Sequence, residues 1–495
     1  MSIISFSVTS VVTDDASNFL LGASDVDLIQ IGGSWRLAVS AEADSALTIF
    51  DFSGGMIGAE LDKQTFNSAS GIRTVWDINA FTAHGQTVLA PATRYEDDAM
   101  LYTVAADGNL TRRDPVLSGD LGLSTTLTTS GGTFFFSQAP GTDDLFVYRV
   151  ETNFALTQVQ SISDTSSTFL GDISALTTAR AHGNDYLFVT SAFDSGLSVY
   201  QIASNGTLTL RDVVEPSDGS GFNLPSALVA VEVSGTNFII MGSSGTSSLT
   251  VYEIGSDGSL TEVEHLLDTL DTRFQSVTQL VSFEFGGAVY IVAAGSDDGL
   301  SILEVGTNGQ LTERGTIADT FDITLDNISG IDVEVIGDQV FLVVSSSTDH
   351  GVAVLEVTFE TPPDPIQGSN GDDYLRGTSG ADVIIGMDGD DLIEARGGAD
   401  IIYDGNGQDT IDAGGGPDVL VFEPDGEVDI VLGFQPEWDT LDLSGYTGVS
   451  SFADIDVRDY CVGLAIFVND DVIFLEGDHG NPFVVEDINT SNVIF

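Results

Sequence analysis

The chain has 495 residues and carries 76 acidic side chains against 14 basic ones, which gives a formal net charge of −62. A surface this negative repels the phosphate backbone, so the composition excludes nucleic acid as a partner and favours cations. No stretch approaches 18 consecutive apolar residues, so the sequence predicts no membrane-spanning helix.

Residues 1 to about 360 contain a unit that recurs seven times. Its aromatic or aliphatic anchors are spaced by 46 to 52 residues: Phe50, Tyr102, Tyr148, Tyr200, Tyr252, Leu303 and Leu355. Several anchors lead into an Asp-Gly or Asn-Gly turn followed by Leu-Thr, as at Asp257-Gly258-Ser259-Leu260. Such dipeptides between alternating apolar runs are strong hairpin signals, and each unit contains four predicted strands. Seven four-stranded units predict an all-β domain, a seven-bladed β-propeller.

The two ends of this domain are predicted to share one blade. No outer strand follows Leu355 before Pro362, and the strand from Ile3 to Val12 has no inner partners before it. We therefore expect the N-terminal strand to complete the seventh blade, with the domain spanning residues 1–360. Residues 361–366, which include Pro362, Pro363 and Pro365, predict a stiff linker.

The repeated unit resembles that of lactonase-type seven-bladed propellers, which carry a similar Val-Tyr followed by Asp-Gly-x-Leu. The resemblance lies in strand and hairpin signals, so it implies the architecture. No catalytic motif carries over with it, and the catalytic residues stay unknown.

Acidic residues recur in the loops of one predicted propeller face. They are Asp44, Glu96, Asp194, Asp297 and Asp349 before the anchors, and Asp14, Asp15, Asp164, Asp218, Asp268, Asp271, Asp319 and Asp322 between units. One interpretation is a site for a cation or a metal-bridged ligand; the other is that the acids solvate loops and cap strand ends. On the same face, His350 is a weak candidate for proton transfer and Arg94 for clamping an anion.

Between Gly368 and Val421 a nine-residue unit repeats six times: GSNGDDYLR, GTSGADVII, GMDGDDLIE, ARGGADIIY, DGNGQDTID and AGGGPDVLV. The fourth position is always glycine, the sixth aspartate and the eighth a large aliphatic residue. Glycine-rich turns expose carbonyl oxygens, and the aspartate adds a carboxylate, which are the hard ligands that calcium prefers. The predicted metal-site residues are Gly368, Asn370, Gly371, Asp373, Gly380, Asp382, Asp388, Gly389, Asp391, Gly398, Asp400, Gly407, Asp409, Gly416 and Asp418.

The last three residues of each unit predict a short strand with its aliphatic side chain inward. Successive turns then fall on opposite sides of a flattened coil, so turns i and i+2 stack and bind about four calcium ions in total. The alternative is a flexible Gly/Asp-rich linker, which needs no register. The block resembles the RTX calcium-binding repeats of exported bacterial proteins, GGxGxDxUx. Departures at Ala395-Arg396, Asp404 and Pro417 put the ions nearest those turns in doubt, but not the coil.

Residues 422–495 are predicted to form a β-rich cap. The stretches Asp429–Phe434 and Asp439–Ser444 resemble the segments that cap such coils in serralysin-type C-terminal domains. Residues Asp471 to Phe495 are similar to the uncleaved type I secretion signals of that family, with Asn492 where an acid usually stands. The alternative for the terminal apolar residues is a plain closing strand.

These features together predict an exported, extracellular calcium-binding protein. Cys461 is the only cysteine, so no intramolecular disulfide is possible, and the N-terminus lacks the basic and apolar regions of a Sec signal. We expect external calcium to fold the repeats after export by type I machinery. The propeller is predicted to bind a carbohydrate or surface ligand; the alternative is a secreted lactonase-like hydrolase or polysaccharide lyase acting at the acidic face.

Overall fold

A computed structural model of the chain describes residues 3–15, 18–66, 74–93, 98–118, 121–138, 142–165, 167–215, 221–269, 272–319, 323, 325–360, 365–436, 438–449, 451–460, 463–477, 484–485, 488 and 492–494. Most of the predicted linker therefore lies outside the described residues, as do Arg94, Glu96, Asp218, Asp271, Asp322 and Cys461. The chain divides into two compact units, Ile4–Phe359 and Glu360–Phe495. Both consist almost entirely of β-strands, which confirms the predicted fold class.

The first unit is a propeller of seven four-stranded antiparallel blades. Blade 1 contains β2 (Ala23–Ile31), β3 (Ser34–Ala41), β4 (Ala46–Ser53) and β5 (Met56–Thr65). Blade 2 contains β6 (Val75–Ala83), β7 (Gln86–Thr93), β8 (Asp98–Val104) and β9 (Leu110–Ser118). Blade 3 contains β10 (Ser124–Thr129), β11 (Gly132–Gln138), β12 (Asp144–Val150) and β13 (Leu156–Ser163). Blade 4 contains β14 (Ile173–Ala181), β15 (Asn184–Ser191), β16 (Gly196–Ile202) and β17 (Leu208–Val214).

The remaining blades complete the ring. Blade 5 contains β18 (Pro225–Val233), β19 (Thr236–Ser243), β20 (Ser248–Ile254) and β21 (Leu260–Leu267). Blade 6 contains β22 (Gln279–Phe285), β23 (Ala288–Ala294), β24 (Gly299–Val305) and β25 (Leu311–Ala318). Blade 7 contains β26 (Ile328–Ile336), β27 (Gln339–Ser346) and β28 (Gly351–Glu360), with β1 (Ile3–Thr13) as its outer strand. The N-terminal strand thus closes the ring in the way the strand count predicts.

Serine hydroxyls connect the inner strands of neighbouring blades. Each serine stands second in its segment and donates to a carbonyl oxygen of the next blade: Ser24 to Val75, Ser174 to Pro225, Ser226 to Val277 and Ser329 to Ala23. The last of these bonds joins blade 7 to blade 1. The hydrophobic core lies between blades, where for example Phe341 of blade 7 packs with Leu37 and Phe50 of blade 1.

The Asp-Gly-x-Leu turns join neighbouring blades at the hairpin from the third to the fourth strand. The leucine N–H of each turn donates to a side chain on the outer strand of the preceding blade. The pairs are Leu110 with Asp62, Leu208 with Gln160, Leu260 with Asp212 and Leu311 with Glu264. This motif, which carried the lactonase-type resemblance, is therefore architectural.

The second unit begins as a parallel two-sheet β-roll. One sheet contains β29 (Ile366–Gln367), β31 (Val383–Ile385), β33 (Ile401–Tyr403) and β35 (Val419–Val421), and the other begins with β30 (Tyr374–Arg376), β32 (Leu392–Glu394) and β34 (Thr410–Asp412). Strands pair in parallel with the strand two repeats later, as Leu375 does with Ile393. The eighth position of each repeat, from Leu375 to Leu420, is buried in one core. This arrangement confirms the predicted stacking of turns i and i+2.

The cap extends both sheets of the roll. β36 (Val428–Phe434), β40 (Asp471–Gly477), β39 (Gly463–Val468) and β38 (Asp456–Tyr460) follow β34 in one sheet. β37 (Thr440–Asp442) and β41 (Val493–Ile494) follow β35 in the other, and a 3-10 turn covers Phe452–Asp454. β41 contains Val493 and Ile494 and pairs in parallel with β37, so these two residues form a closing strand of this sheet. The described residues contain no helix long and apolar enough to cross a membrane.

Candidate metal centre

The sixth-position aspartates of the repeats form two ladders along the roll. One carboxylate oxygen, Oδ1, accepts the backbone N–H of the aspartate two repeats earlier, as Asp400 does from Asp382 at 2.7 Å. The same bond joins Asp391 to Asp373, Asp409 to Asp391 and Asp418 to Asp400. Asp429 and Asp439 of the cap continue the two ladders. The repeat therefore fixes the carboxylates of Asp391, Asp400, Asp409 and Asp418 in position through one of their two oxygens.

The other carboxylate oxygen, Oδ2, of four ladder aspartates is buried without a hydrogen-bond partner. These aspartates are Asp391, Asp400, Asp409 and Asp418, and each is at most 3% exposed. Burial raises the pKa of Asp400 and Asp409 to about 6 and that of Asp418 to about 7. A buried carboxylate oxygen without a donor is costly unless a cation binds it. The donor set fits calcium, which takes hard oxygen ligands at loose geometry.

Glycine is required at the fourth position in four of the six repeats. Gly389, Gly398, Gly407 and Gly416 have φ between +124° and +135°. A Cβ on Gly389 would lie 2.5 Å from the carbonyl carbon of Gly371, one turn below. Gly371 and Gly380 belong to the outermost turns and lack such a neighbour, and neither has a positive φ. Glycine therefore recurs at the fourth position for two reasons: the turn needs a positive φ, and the stacked turn leaves no room for a Cβ.

Asn370 and Asp388, both predicted as metal-site residues, lie in a separate side-chain ladder. Asp388 Oδ2 accepts from Nδ2 of Asn370 at 2.6 Å, and its Oδ1 accepts from Nδ2 of Asn406 at 2.7 Å. Gly368 occupies the first position, where a Cβ would lie 2.4 Å from the carbonyl oxygen of Gly386. The structure therefore brings together the aspartates at the sixth position of the repeats. The third-position side chains of Asn370, Asp388 and Asn406 instead hydrogen-bond one another.

The acidic loops of the propeller face have a structural role. Asp14, Asp164, Asp268 and Asp319 each accept, through Oδ1, the backbone N–H of the residue six positions later. Asp44, Asp194 and Asp349 accept, through Oδ2, backbone N–H groups from the loop that precedes their blade. These seven carboxylates cap the loops, which supports the second of the two interpretations. Asp297 differs, since its Oδ1 is buried without a partner and burial raises its pKa.

His350 lies at the rim of a cavity of about 850 Å³ on this face. Its Nδ1 accepts the N–H of Gly22 at 3.2 Å, and its carbonyl oxygen accepts the N–H of Asp14 at 2.7 Å. The cavity is lined by Ser24, Thr74, Trp76 and Ser329 from the inner strands, and by Glu42 from a neighbouring hairpin. The imidazole is thus oriented by the backbone, beside a space large enough for a small ligand.

The sequence analysis missed a carboxylate cluster on the inner strands of blades 1, 2 and 7. Asp25 Oδ2 accepts the N–H of Ile78, and Asp332 Oδ2 accepts that of Leu28, while Asp27 Oδ2 is buried without a described partner. Burial raises the pKa of Asp77 to about 7 and that of Asp332 to about 6, and it raises those of Asp25 and Asp27 well above the usual range. The 52-residue spacing of Asp25 and Asp77, which equals the blade repeat, is the sequence signal that the analysis did not use.

Comparisons with known proteins identify both repeats. The RTX calcium-binding nonapeptide repeat matches residues 367–402 and 385–420, and the seven-bladed β-propeller lactonase family matches residues 124–272. No curated protein matches the chain.

Two solved structures are similar to part of the chain, each with a TM-score of 0.47. A protein from Lactobacillus plantarum is 16% identical over 65% of this chain and 97% of its own. The BBS1N chain of a complex with ARL6DN is 10% identical over 72% of this chain and 97% of its own. The family matches, together with the fold, show that the chain carries RTX calcium-binding repeats after a lactonase-type propeller.

Proposed function

We propose that the protein is exported, binds calcium through its β-roll and folds that roll only when calcium is present. The observation that carries this proposal is the set of four buried Oδ2 atoms, on Asp391, Asp400, Asp409 and Asp418, that lack a hydrogen-bond partner. Their number equals the four ions that the stacking of the turns predicts. Each ion would offset the cost of burying its carboxylate, since calcium supplies the missing partner.

Calcium-dependent folding follows from the same balance. Each repeat contributes only a three-residue strand and one core side chain, so little apolar burial opposes the repulsion between stacked carboxylates. In the low calcium of a cytosol the roll should stay unfolded, and in millimolar external calcium it should fold. An unfolded roll suits passage through type I machinery, and RTX repeats are typical of secreted proteins.

For the propeller we propose a role as a ligand-binding or adhesion module. Its support is the cavity beside His350. The indole of Trp76 and the hydroxyls of Ser24 and Ser329 line this cavity and suit an uncharged, hydroxyl-rich ligand. An extracellular carbohydrate or surface glycan has this chemistry. The carboxylate of Glu42 adds an acceptor at the rim.

A second candidate is a lactonase-like hydrolase or a polysaccharide lyase acting at the same face. The match of residues 124–272 to the lactonase family favours it. The match covers blades 3 to 5, whereas the cavity lies on blades 1, 2 and 7. His350 is the proton-transfer group that such a reaction would use, through the Nε2 that its bond to Gly22 leaves available.

Calorimetric titration of the intact chain tests calcium binding. We expect about four equivalents of calcium to bind, with a gain of β signal in circular dichroism that magnesium at equal concentration does not produce. No binding at millimolar calcium contradicts the proposal. Screening the calcium-loaded chain against glycans and lactones then separates the binding module, which retains ligand unchanged, from the enzyme, which releases product.

A further inference from the structure

Three buried carboxylates converge where the sixth repeat meets the cap. One oxygen each of Asp404, Asp409 and Asp429 lies within 4.8 Å of the others. The three side chains are 2%, 0% and 3% exposed. Asp409 belongs to the ladder of turns, Asp429 to β36, and Asp404 to the first position of the fifth repeat, where the repeat pattern has glycine.

Residue 404 holds a buried carboxylate at a position where two earlier repeats have room for no side chain at all. A Cβ on Gly377 or Gly386 would lie 2.3 Å or 1.9 Å from the carbonyl oxygen stacked on it. Ladder partners within the repeats are 18 residues apart, whereas Asp409 and Asp429 are 20 apart. The side chain of Asp404 lies buried inside the coil, close to the Asp429 carboxylate at the end of this longer connection.

Few hydrogen-bond donors and no described cation side chain reach the carboxylates of this cluster. Asp404 Oδ1 accepts only the N–H of Gly405, at 2.7 Å, and Asp429 Oδ1 accepts that of Asp409, at 3.0 Å. Asp409 Oδ2 is buried without a partner, and so is Oδ2 of the neighbouring Asp471. Among the described residues of this unit, the ion pairs join Arg376 to Glu394 and Arg458 to Asp456, outside the cluster.

We propose that Asp404, Asp409 and Asp429 bind the last of the four calcium ions through their carboxylates, so that this site differs in chemistry from the carbonyl-rich turns before it. The inference rests on the proposed calcium binding of the roll. Affinity for calcium rises with the number of charged ligands, so this junction site is the tightest of the roll. It excludes magnesium, which keeps several waters that a buried site cannot accommodate. Because Asp429 lies on β36, the ion joins the fifth turn to the cap.

Tyr446 supplies a spectroscopic reporter for the site. It is 2% exposed, its hydroxyl donates to the carbonyl oxygen of Glu423, and burial together with the nearby carboxylates of Asp471 and Asp404 raises its pKa. Terbium replaces calcium at oxygen sites and emits when a tyrosine nearby absorbs the exciting light. A terbium ion held by Asp404 is therefore expected to emit on excitation of Tyr446.

The test compares four variants of the intact chain with the wild type by calorimetry and terbium emission. Asp404→Asn and Asp404→Gly remove the extra carboxylate, the second by restoring the glycine of the repeat. Glu427→Gln removes one charge from an exposed carboxylate near the same end, as the matched control. Tyr446→Phe removes the reporter without removing a ligand.

We expect both Asp404 variants to weaken the tightest calcium class by roughly ten-fold or more and to lose terbium emission that depends on Tyr446. Glu427→Gln should keep the affinity, and Tyr446→Phe should lose emission while it keeps the stoichiometry. Unchanged tight binding in both Asp404 variants overturns the inference while the turn sites stand. Absence of any calcium binding by the wild type instead overturns the proposed function itself. Circular dichroism in saturating calcium checks that the Asp404→Gly roll is folded.

Discussion

The propeller and the roll use aspartate in opposite ways. On the propeller face, Asp164 accepts the N–H of Leu170 and belongs to a set of seven carboxylates that cap backbone groups. In the roll, Asp400 accepts one N–H through Oδ1 and leaves a buried Oδ2 without a partner. The same residue type is thus a structural cap in one unit and, in the function we propose, a cation ligand in the other. The number of donors that reach each carboxylate decides between the two roles.

The two units also differ in how much apolar side chain they bury. The propeller buries large aromatic side chains such as Tyr102, Phe188 and Phe341 between blades. The roll buries one aliphatic side chain for each nine-residue repeat. We therefore expect the roll to depend on its ions for stability, and the propeller to be stable without them.

The largest expected effect comes from Asp400→Asn. The amide oxygen can still accept the N–H of Asp382, so the substitution removes the charged ligand and keeps the ladder. We expect the calcium-loaded roll to lose about 3 kcal/mol of unfolding free energy, the stabilisation that one ion gives at a hundred-fold excess over its dissociation constant. Calcium-dependent thermal melts measure the loss. Asp390→Asn, at an exposed side chain in the neighbouring turn, is the control that should change little.

The pH dependence of propeller stability provides the second test. Burial raises the pKa of Asp77 to about 7, above its value in the unfolded chain, so the folded state binds more protons between those two values. Stability is therefore greatest at low pH and falls as pH rises through the folded pKa. Between pH 5 and pH 8 we expect a loss of about 3 kcal/mol, at about 1.4 kcal/mol for each pH unit up to the folded pKa, above which the loss levels off.

Asp77→Asn isolates that effect in the same unit. The variant should be more stable than the wild type at pH 8, and its stability should vary less with pH. Chemical denaturation followed in calcium-free buffer, with the propeller signal monitored, measures both. If stability instead rises from pH 5 to pH 8, then burial does not raise the pKa values of Asp25, Asp27, Asp77 and Asp332.

The loop caps predict a smaller effect that calcium does not influence. Asp164→Ala removes the acceptor for the N–H of Leu170 and should cost about 1 kcal/mol of propeller stability. Asp164→Asn retains an acceptor and should cost less. Calcium stoichiometry should be the same in both variants and in the wild type. A lost calcium equivalent in either variant would show that the acidic face binds the ion, contrary to the proposed contrast.

The smallest effect is expected at the second position of the third repeat. Met387 has a φ of +85°, where the equivalent Gly405 and Gly414 have φ of +102° and +88°. Met387→Gly relieves left-handed strain of about 1 kcal/mol, part of which is offset by the greater freedom of glycine in the unfolded chain. We expect a slight rise in the melting temperature of the calcium-loaded roll. A fall of several degrees would indicate that the Met387 side chain contributes more packing than strain.

The features that the sequence predicts are those that repeat at a fixed period. The nine-residue register predicts which aspartates align in the roll, and the anchors with Asp-Gly-x-Leu turns predict the seven blades. The cluster of Asp25 and Asp332 was not predicted, because ring closure brings together residues separated by most of the propeller. Asp404 was interpreted as a departure that put an ion in doubt. The structure instead places its carboxylate in a buried cluster with those of Asp409 and Asp429.

Hydrogen exchange of the intact chain, measured by mass spectrometry with and without millimolar calcium, tests the contrast between the two units most directly. We predict that peptides from residues 368–421 exchange rapidly without calcium and become protected when it is added. Peptides from the inner and middle strands of the propeller, such as β15 and β19, should be protected in both conditions. Protection of the roll without calcium, or loss of propeller protection on calcium removal, would contradict the account.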